Sequence, residues 1–193
     1  MLKHMRVAMF IMAGVLVRSA VAAPNIVFIL ADDLGYGDLG CFFQNARPAG
    51  KMRLATPELD RMAAEGMMLT HHYTGAPVCV SARACLMTGF HTGHSPIKDN
   101  QFDSPLPPDG LTLPRMLKSA GYRTACVGKW GMSGAAPALL GHPMLHGFDE
   151  FYGVLLHSQV SQHYPGNNGY VMDGTTPVTS GLTGAYVPDL LVA

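Results

Sequence analysis

Apolar residues along this chain fall in short runs separated by Gly, Pro and Asp, and the spacing inside each run predicts its element. Residues 25–31 form a continuous apolar run directly after Pro24, the pattern of a strand buried on both faces of a parallel sheet. Residues 32–40 are rich in Gly and Asp and end that strand in a loop. Residues 41–55 show no clear period. Thr56-Pro57 then starts a helix, with Thr as N-cap and Pro at the first helical position. Leu59, Met62 and Ala63 follow at helical spacing, and Gly66 stops the helix. Residues 67–73 read as the next strand, 81–88 as a helix, 113–120 as a helix closed by Gly121, and 122–127 as a strand. Past residue 131 the pattern weakens, and Gly, Pro, Asn and Thr make 165–184 read as loop. Strands alternating with helices predict an α/β fold with a mostly parallel sheet flanked by helices.

Composition narrows the picture. Among 193 residues, 48% are hydrophobic and 13% charged, a globular balance rather than a disordered one. The formal charge of zero provides no long-range field for nucleic acid, so an anionic substrate needs a local basic site. Residues 1–23 read as a secretory signal peptide. Lys3, His4 and Arg6 give a basic start, residues 7–17 form an apolar run short for a bilayer, and Ala20-Val21-Ala22 supplies small residues for cleavage. The alternative is an uncleaved anchor. Cleavage leaves 10 basic against 13 acidic residues, a net charge of −3, and a secreted or periplasmic protein with no membrane association. The rest, 24–193, is one catalytic-domain portion. The four cysteines, Cys41, Cys79, Cys85 and Cys126, allow three pairings between which the sequence does not choose. Export permits disulfides, and no Cys-x-x-Cys spacing suggests zinc.

Three segments carry candidate chemistry. Asp32-Asp33 sits where the first predicted strand leaves the sheet, the side of an open α/β sheet where ligands gather. Adjacent carboxylates repel unless a cation or strong donors lie close, and hard oxygen ligands favour Ca²⁺, with Mg²⁺ as the alternative. A turn-capping Asp33 beside a solvated Asp32 is the plainer reading. Cys79 precedes a predicted helix, where free N–H groups and the helix dipole favour a thiolate and tetrahedral anions. A buried apolar cysteine is the plainer reading there. Arg83 lies one helical turn on. Gly128-Lys129-Trp130 ends the 122–127 strand region, and a strand-end ammonium there can stabilise charge developing on an anion.

In this order the three segments resemble the amino-terminal portion of a sulfatase, of the alkaline phosphatase superfamily. The matching residues are Cys79, Arg83 and Leu86-Met87-Thr88-Gly89, with Ala76-Pro77-Val78 ahead of them, Asp32-Asp33 and Gly128-Lys129-Trp130. Gly147-Phe148-Asp149-Glu150-Phe151-Tyr152-Gly153 also resembles a sulfatase signature. The resemblance spans residues 24–164 and implies an alkaline-phosphatase-like fold, here incomplete, since the further Asp-Asn pair and second lysine of the family do not appear. It implies hydrolysis of an aryl or carbohydrate sulfate ester. Cys79 would be converted by a formylglycine-generating or other maturing enzyme to formylglycine, whose hydrate attacks sulfur and then expels sulfate. Asp32, Asp33 and residue 79 would ligate the cation, Arg83 would hydrogen-bond the nucleophile or its metal ligand, and Lys129 would reach the sulfate. Two positions depart from the family pattern: Ser81 stands where Pro or Ala is usual, and Gly131 stands where a His is frequent. His163, before Tyr164-Pro165, is the candidate proton carrier, with His157 as the alternative. Competing readings are a phosphomonoesterase or phosphodiesterase of the same superfamily, and a non-catalytic remnant or sulfate-ester binding module.

Overall fold

Glu150–Val154 carries the sheet of this α/β protein, because its side chains alternate between two apolar clusters as the twofold period of a strand requires. Phe151 and the following Leu155 join Val80, Ala84, Ile97, Leu106, Trp130, Met132 and Met172 in one buried cluster. Tyr152 and Val154 face a second cluster with Val171 and Leu182. The computed structural model describes residues 23–48, 50–100, 104–134, 139–156, 159, 163–164 and 171–192. The signal-peptide segment, apart from Ala23, lies outside the described residues, as does His157. The chain divides into two units, Met1–Gly35 and Tyr36–Ala193.

In the larger unit, four helices and one four-stranded sheet are described. The helices are α1 (Pro57–Glu65), α2 (Cys79–Thr88), α3 (Leu113–Ser119) and α4 (Val187–Val192); the strands are β1 (Ala125–Lys129), β2 (Glu150–Val154), β3 (Val171–Asp173) and β4 (Thr176–Pro177). Their order across the sheet is β1-β2-β3-β4. β1 and β2 are parallel, with Ala125 opposite Glu150 and Lys129 opposite Val154, whereas β3 and β4 complete an antiparallel edge. The parallel ladder runs on past the strand ends, where Trp130 N–H donates to the Val154 carbonyl at 2.9 Å and Gly131 N–H to that of Leu155 at 3.0 Å.

Several boundaries follow the sequence pattern and others do not. α1 starts at Pro57 and stops at Gly66 as expected, yet the Thr56 hydroxyl makes no cap bond within the helix. It accepts from Gly40 N–H at 2.7 Å and donates to Asp60 at 3.0 Å. Asp60 also takes Cys41 N–H and the Asn45 amide, so α1 fastens the loop around residues 40–45, and the Asn45 bond is the main reason its carboxyl titrates below the usual range. The strand expected at 67–73 is absent: this stretch is irregular, and Met67 and Leu69 are exposed. Conversely, the loop expected at 165–184 contains β3 and β4 in its described part, turning at Gly174-Thr175 with Gly174 at φ 56°. Strands of three and two residues are too short for a twofold period to register, although Gly at the first loop position suits a hairpin.

In the smaller unit, residues 23–31 form no strand, contrary to expectation. Ile26, Val27, Phe28, Ile29 and Leu30 are between 49% and 84% exposed. The run has the composition of a buried strand, but composition does not supply the ladder that makes one. Asp32 and Asp33 form a turn, with Asp33 in the left-handed region at φ 60°, a conformation Asp tolerates better than most residues.

Two contacts set expectations for stability. Gly128 and Gly153 face each other across the parallel pair, and a Cβ on Gly153 would stand 1.9 Å from the Gly128 carbonyl oxygen. Gly153→Ala should therefore cost about 2–3 kcal/mol in urea unfolding, the range of an overpacked core. Asp149 accepts from Lys118 at 2.6 Å and from Thr124 N–H at 2.9 Å, which together pull its carboxyl down to about 2, the Lys118 bond foremost. A depressed carboxylate contributes stability that is present above its unfolded pKa near 4 and lost as pH falls towards 2. The thermal midpoint should drop over that window, and Asp149→Asn should flatten the drop.

Candidate active site

α2 is where the sequence places the nucleophile, and it begins at residue 79 itself rather than at 81. Val78 is extended (φ −127°, ψ 155°) and closes no side-chain cap bond, while Gly89 ends the helix at φ 71° with its N–H on the Cys85 carbonyl. Val80, Ser81, Ala84 and Cys85 form its buried side. Cys79 and Arg83 lie off that side and are partly exposed. All four cysteines are free thiols.

Ser81, at the position where the family prefers Pro or Ala, has no exposed surface, and its hydroxyl donates to the Val78 carbonyl at 3.2 Å. The hydroxyl is thereby satisfied within the first turn, and the site accepts it at little cost. This explains how the fold tolerates the departure.

Arg83 crosses from α2 to the sheet. Its guanidinium Nη1 donates to the Lys129 carbonyl at 2.6 Å, a short charge-assisted bond. Lys129 is the last residue of β1, so the Arg83 guanidinium reaches the carboxyl end of the parallel pair, at the backbone of the other sequence-predicted cation. Trp130 fixes this end from behind. It is 2% exposed, donates from Nε1 to the Gly141 carbonyl at 2.6 Å, lies over the His146 ring at 6.2 Å and meets Phe148 edge-on at 5.9 Å. The sequence offers no hint of this anchoring beyond the presence of the chain's one tryptophan. Behind β1, burial pushes the Cys126 thiol up to about 11 against the opposing pull of Arg83. Gly131, where a His is frequent, sits at φ 85°, and a Cβ there would meet only the Arg83 Cδ at 3.7 Å. Backbone conformation, not lack of space, makes glycine the fitting residue.

The remaining predicted residues belong to other segments. Asp32 and Asp33 belong to the smaller unit. His163 is exposed; its carbonyl accepts from Val187 N–H at 2.9 Å and its ring is 6.0 Å from that of Tyr186. His91 and His94 bond to each other ring to ring at 2.8 Å within one turn. Two histidines that the sequence left unremarked, His142 and His146, are buried beside Trp130 and Phe151, and burial holds both below the ordinary histidine range. Their burial follows from packing after the weakly patterned residue 131, where periodicity gave no signal. Among the described residues no cluster of three or more His, Cys, Asp or Glu side chains forms a metal cage. As donors, Asp32 and Asp33 are the hard carboxylates that calcium takes, although calcium takes 6–8 oxygens in all.

A helix start bearing a cysteine is thus joined, through an arginine, to the backbone at the carboxyl end of a parallel strand pair in an α/β fold. The chain belongs to the sulfatase family, whose model matches residues 24–186. It is 43% identical to mouse steryl-sulfatase over 143 residues, covering 68% of this chain and 22% of that protein. It is 39% identical to rat N-acetylgalactosamine-6-sulfatase over 151 residues, covering 72% of this chain and 27% of the relative. A solved structure of a protein in complex with its substrate D-glucosamine-2-N,6-O-disulfate superimposes with a TM-score of 0.57 at 28% identity, covering 78% of this chain and 27% of that one. The alkaline-phosphatase-like α/β fold expected from the sequence is the one these relatives share. The chain thus spans about a quarter of the length of the curated relatives it matches.

Arg83→Leu should remove the tie between α2 and β1. A hydrogen bond from a charged group is worth about 1.5–3 kcal/mol, and urea unfolding should show a loss of that size with an unchanged m-value.

Proposed function

We infer that the whole protein is a sulfuric ester hydrolase and that this chain carries the nucleophile and part of its sulfate site. The observation that carries this reading is the Arg83 bond to the Lys129 carbonyl, which ties the guanidinium one helical turn from residue 79 to the strand end that bears the lysine. A sulfate ester has one negative charge and gathers more on its leaving oxygen as the S–O bond breaks. Preorganised cations pointing at that charge lower the barrier without reorganising. Arg83 is suited to a planar, forked contact with sulfate oxygens and Lys129 to a single-point one. The partial exposure of both gives a substrate access while the Arg83 stem stays fixed by its backbone bond.

Residue 79, converted by a maturing enzyme to formylglycine, would supply an aldehyde hydrate as nucleophile, and a calcium ion held by Asp32 and Asp33 would lower the pKa of that hydrate. His163 would carry the proton to the leaving alcohol. Aryl or carbohydrate sulfates are the substrate class, in line with the carbohydrate disulfate bound by the solved relative. Export through the 1–23 signal would deliver the protein to the periplasm or the exterior. A cysteine with an arginine one helical turn on favours this reading over a phosphatase, whose sites prefer Ser or Thr nucleophiles and zinc. A second reading is a chain that folds, or binds a sulfate ester, without turning it over.

Mass spectrometry of the peptide bearing residue 79 should show the thiol replaced by an aldehyde. The exported protein should release alcohol from an aryl sulfate faster than from the matching phosphate, and Cys79→Ala should abolish release. Calcium chelation should suppress it reversibly. An unmodified thiol in every molecule, or preference for the phosphate, would overturn the assignment. Turnover by neither ester, together with no calcium binding in calorimetry, would support the non-catalytic chain.

A further inference from the structure

The residues that follow α2 fold back onto both sides of Cys79. Thr92 donates its hydroxyl to the Gly75 carbonyl, four residues before the cysteine. Asn100 accepts Val80 N–H on its side-chain oxygen at 3.0 Å, one residue after it. These two bonds come from a single loop, residues 90–100, and reach the chain on either side of the nucleophile.

The helix start needs such help. Val78 has no side chain able to cap, no acidic residue lies in the first turn, and the Ser81 hydroxyl is turned to the Val78 carbonyl. Asn100 therefore does from twenty residues away what an N-cap residue ordinarily does from the neighbouring position. A neutral amide also satisfies the N–H without placing a negative charge where an anion has to sit.

The loop is stiff enough to serve. His94 N–H and Ser95 N–H both donate to the His91 carbonyl at 2.9 Å. The His91 and His94 rings are bonded at 2.8 Å, and the Ser95 hydroxyl donates to the Ile97 carbonyl at 2.9 Å. Ile97, 3% exposed, packs in the main cluster with Val80 and Ala84 of α2 itself. From the other side, Gly75 lies so close to Cys85 that a Cβ there would fall 2.6 Å from the Cys85 Cβ. The approach to residue 79 is thus pressed onto α2 and held there by Thr92.

We propose that Thr92 and Asn100 are positioning residues for residue 79: the 90–100 loop is a two-point clamp that fixes the turn carrying the nucleophile. The proposal rests on the sulfatase reading for its catalytic meaning but not for its structural test.

The test uses the full chain and four variants. Thr92→Val and Asn100→Leu remove one bond each at similar volume; Thr92→Ser and Asn100→Asp keep the hydroxyl or the acceptor. Amide hydrogen exchange, read residue by residue, should quicken at least about tenfold at Val80 in Asn100→Leu and across residues 75–80 in Thr92→Val. Residues of β1 and β2 should keep their protection, and the conserving variants should restore the wild-type pattern. In the matured, calcium-loaded protein, kcat for an aryl sulfate should fall about tenfold or more in Thr92→Val with KM within about twofold, and Thr92→Ser should recover it. Unchanged exchange at 75–80 in both disruptive variants would overturn the clamp, whatever the activity. Quickened exchange spread evenly over the sheet would overturn it as well, marking ordinary destabilisation. If the unsubstituted protein hydrolyses no sulfate ester, the enzymatic reading fails by itself, and exchange confined to 75–80 still establishes the clamp.

Discussion

One hydrogen bond, from the Arg83 guanidinium to the carbonyl of Lys129, links the two elements that carry the candidate chemistry. α2 presents residue 79 and β1 ends in the lysine, and nothing in either element alone would set their separation. The bond uses the arginine's charge structurally. A tryptophan bonded to Gly141 and packed against His146 and Phe148 follows the lysine directly and holds the stretch of backbone whose carbonyl receives the arginine.

The site was more legible in the sequence than the sheet. Cys79, Arg83 and Lys129 are legible because their spacing is local and chemical: one helical turn, one strand end. The helices were legible for the same reason, since Thr56-Pro57 and Gly66 or Gly89 mark their ends with backbone preferences that packing does not override. Strands failed where they depend on partners distant in sequence. Residues 25–31 have every compositional mark of a buried strand and no ladder, and β3 and β4 have a ladder and hardly any mark. β1 gives both, since the strand expected at 122–127 forms at Ala125–Lys129 and pairs with β2; β2 has Phe151, Tyr152 and Val154 on alternate faces but lies past residue 131, where no strand was expected.

Some residues carry weight that no local pattern announces. Asp149 joins Lys118 of α3 to Thr124 just ahead of β1, and Asp60 fastens a loop to α1 through three donors. In each case a carboxylate sits where separate segments meet, and apart from Thr56, four residues from Asp60, the partners come from 15 to 31 residues away. Such hubs are set by tertiary geometry. They become visible only once the chain is folded, which is why sequence reasoning finds catalytic carboxylates more readily than architectural ones.

The thiol of Cys126 adds a consequence of a different kind. With burial holding it near 11, only about one molecule in ten thousand carries the reactive anion at neutral pH. It is therefore slow towards oxidants and disulfide donors even though the side chain is only partly buried. The strand that ends in the lysine is protected from covalent damage by the same packing that fixes its position.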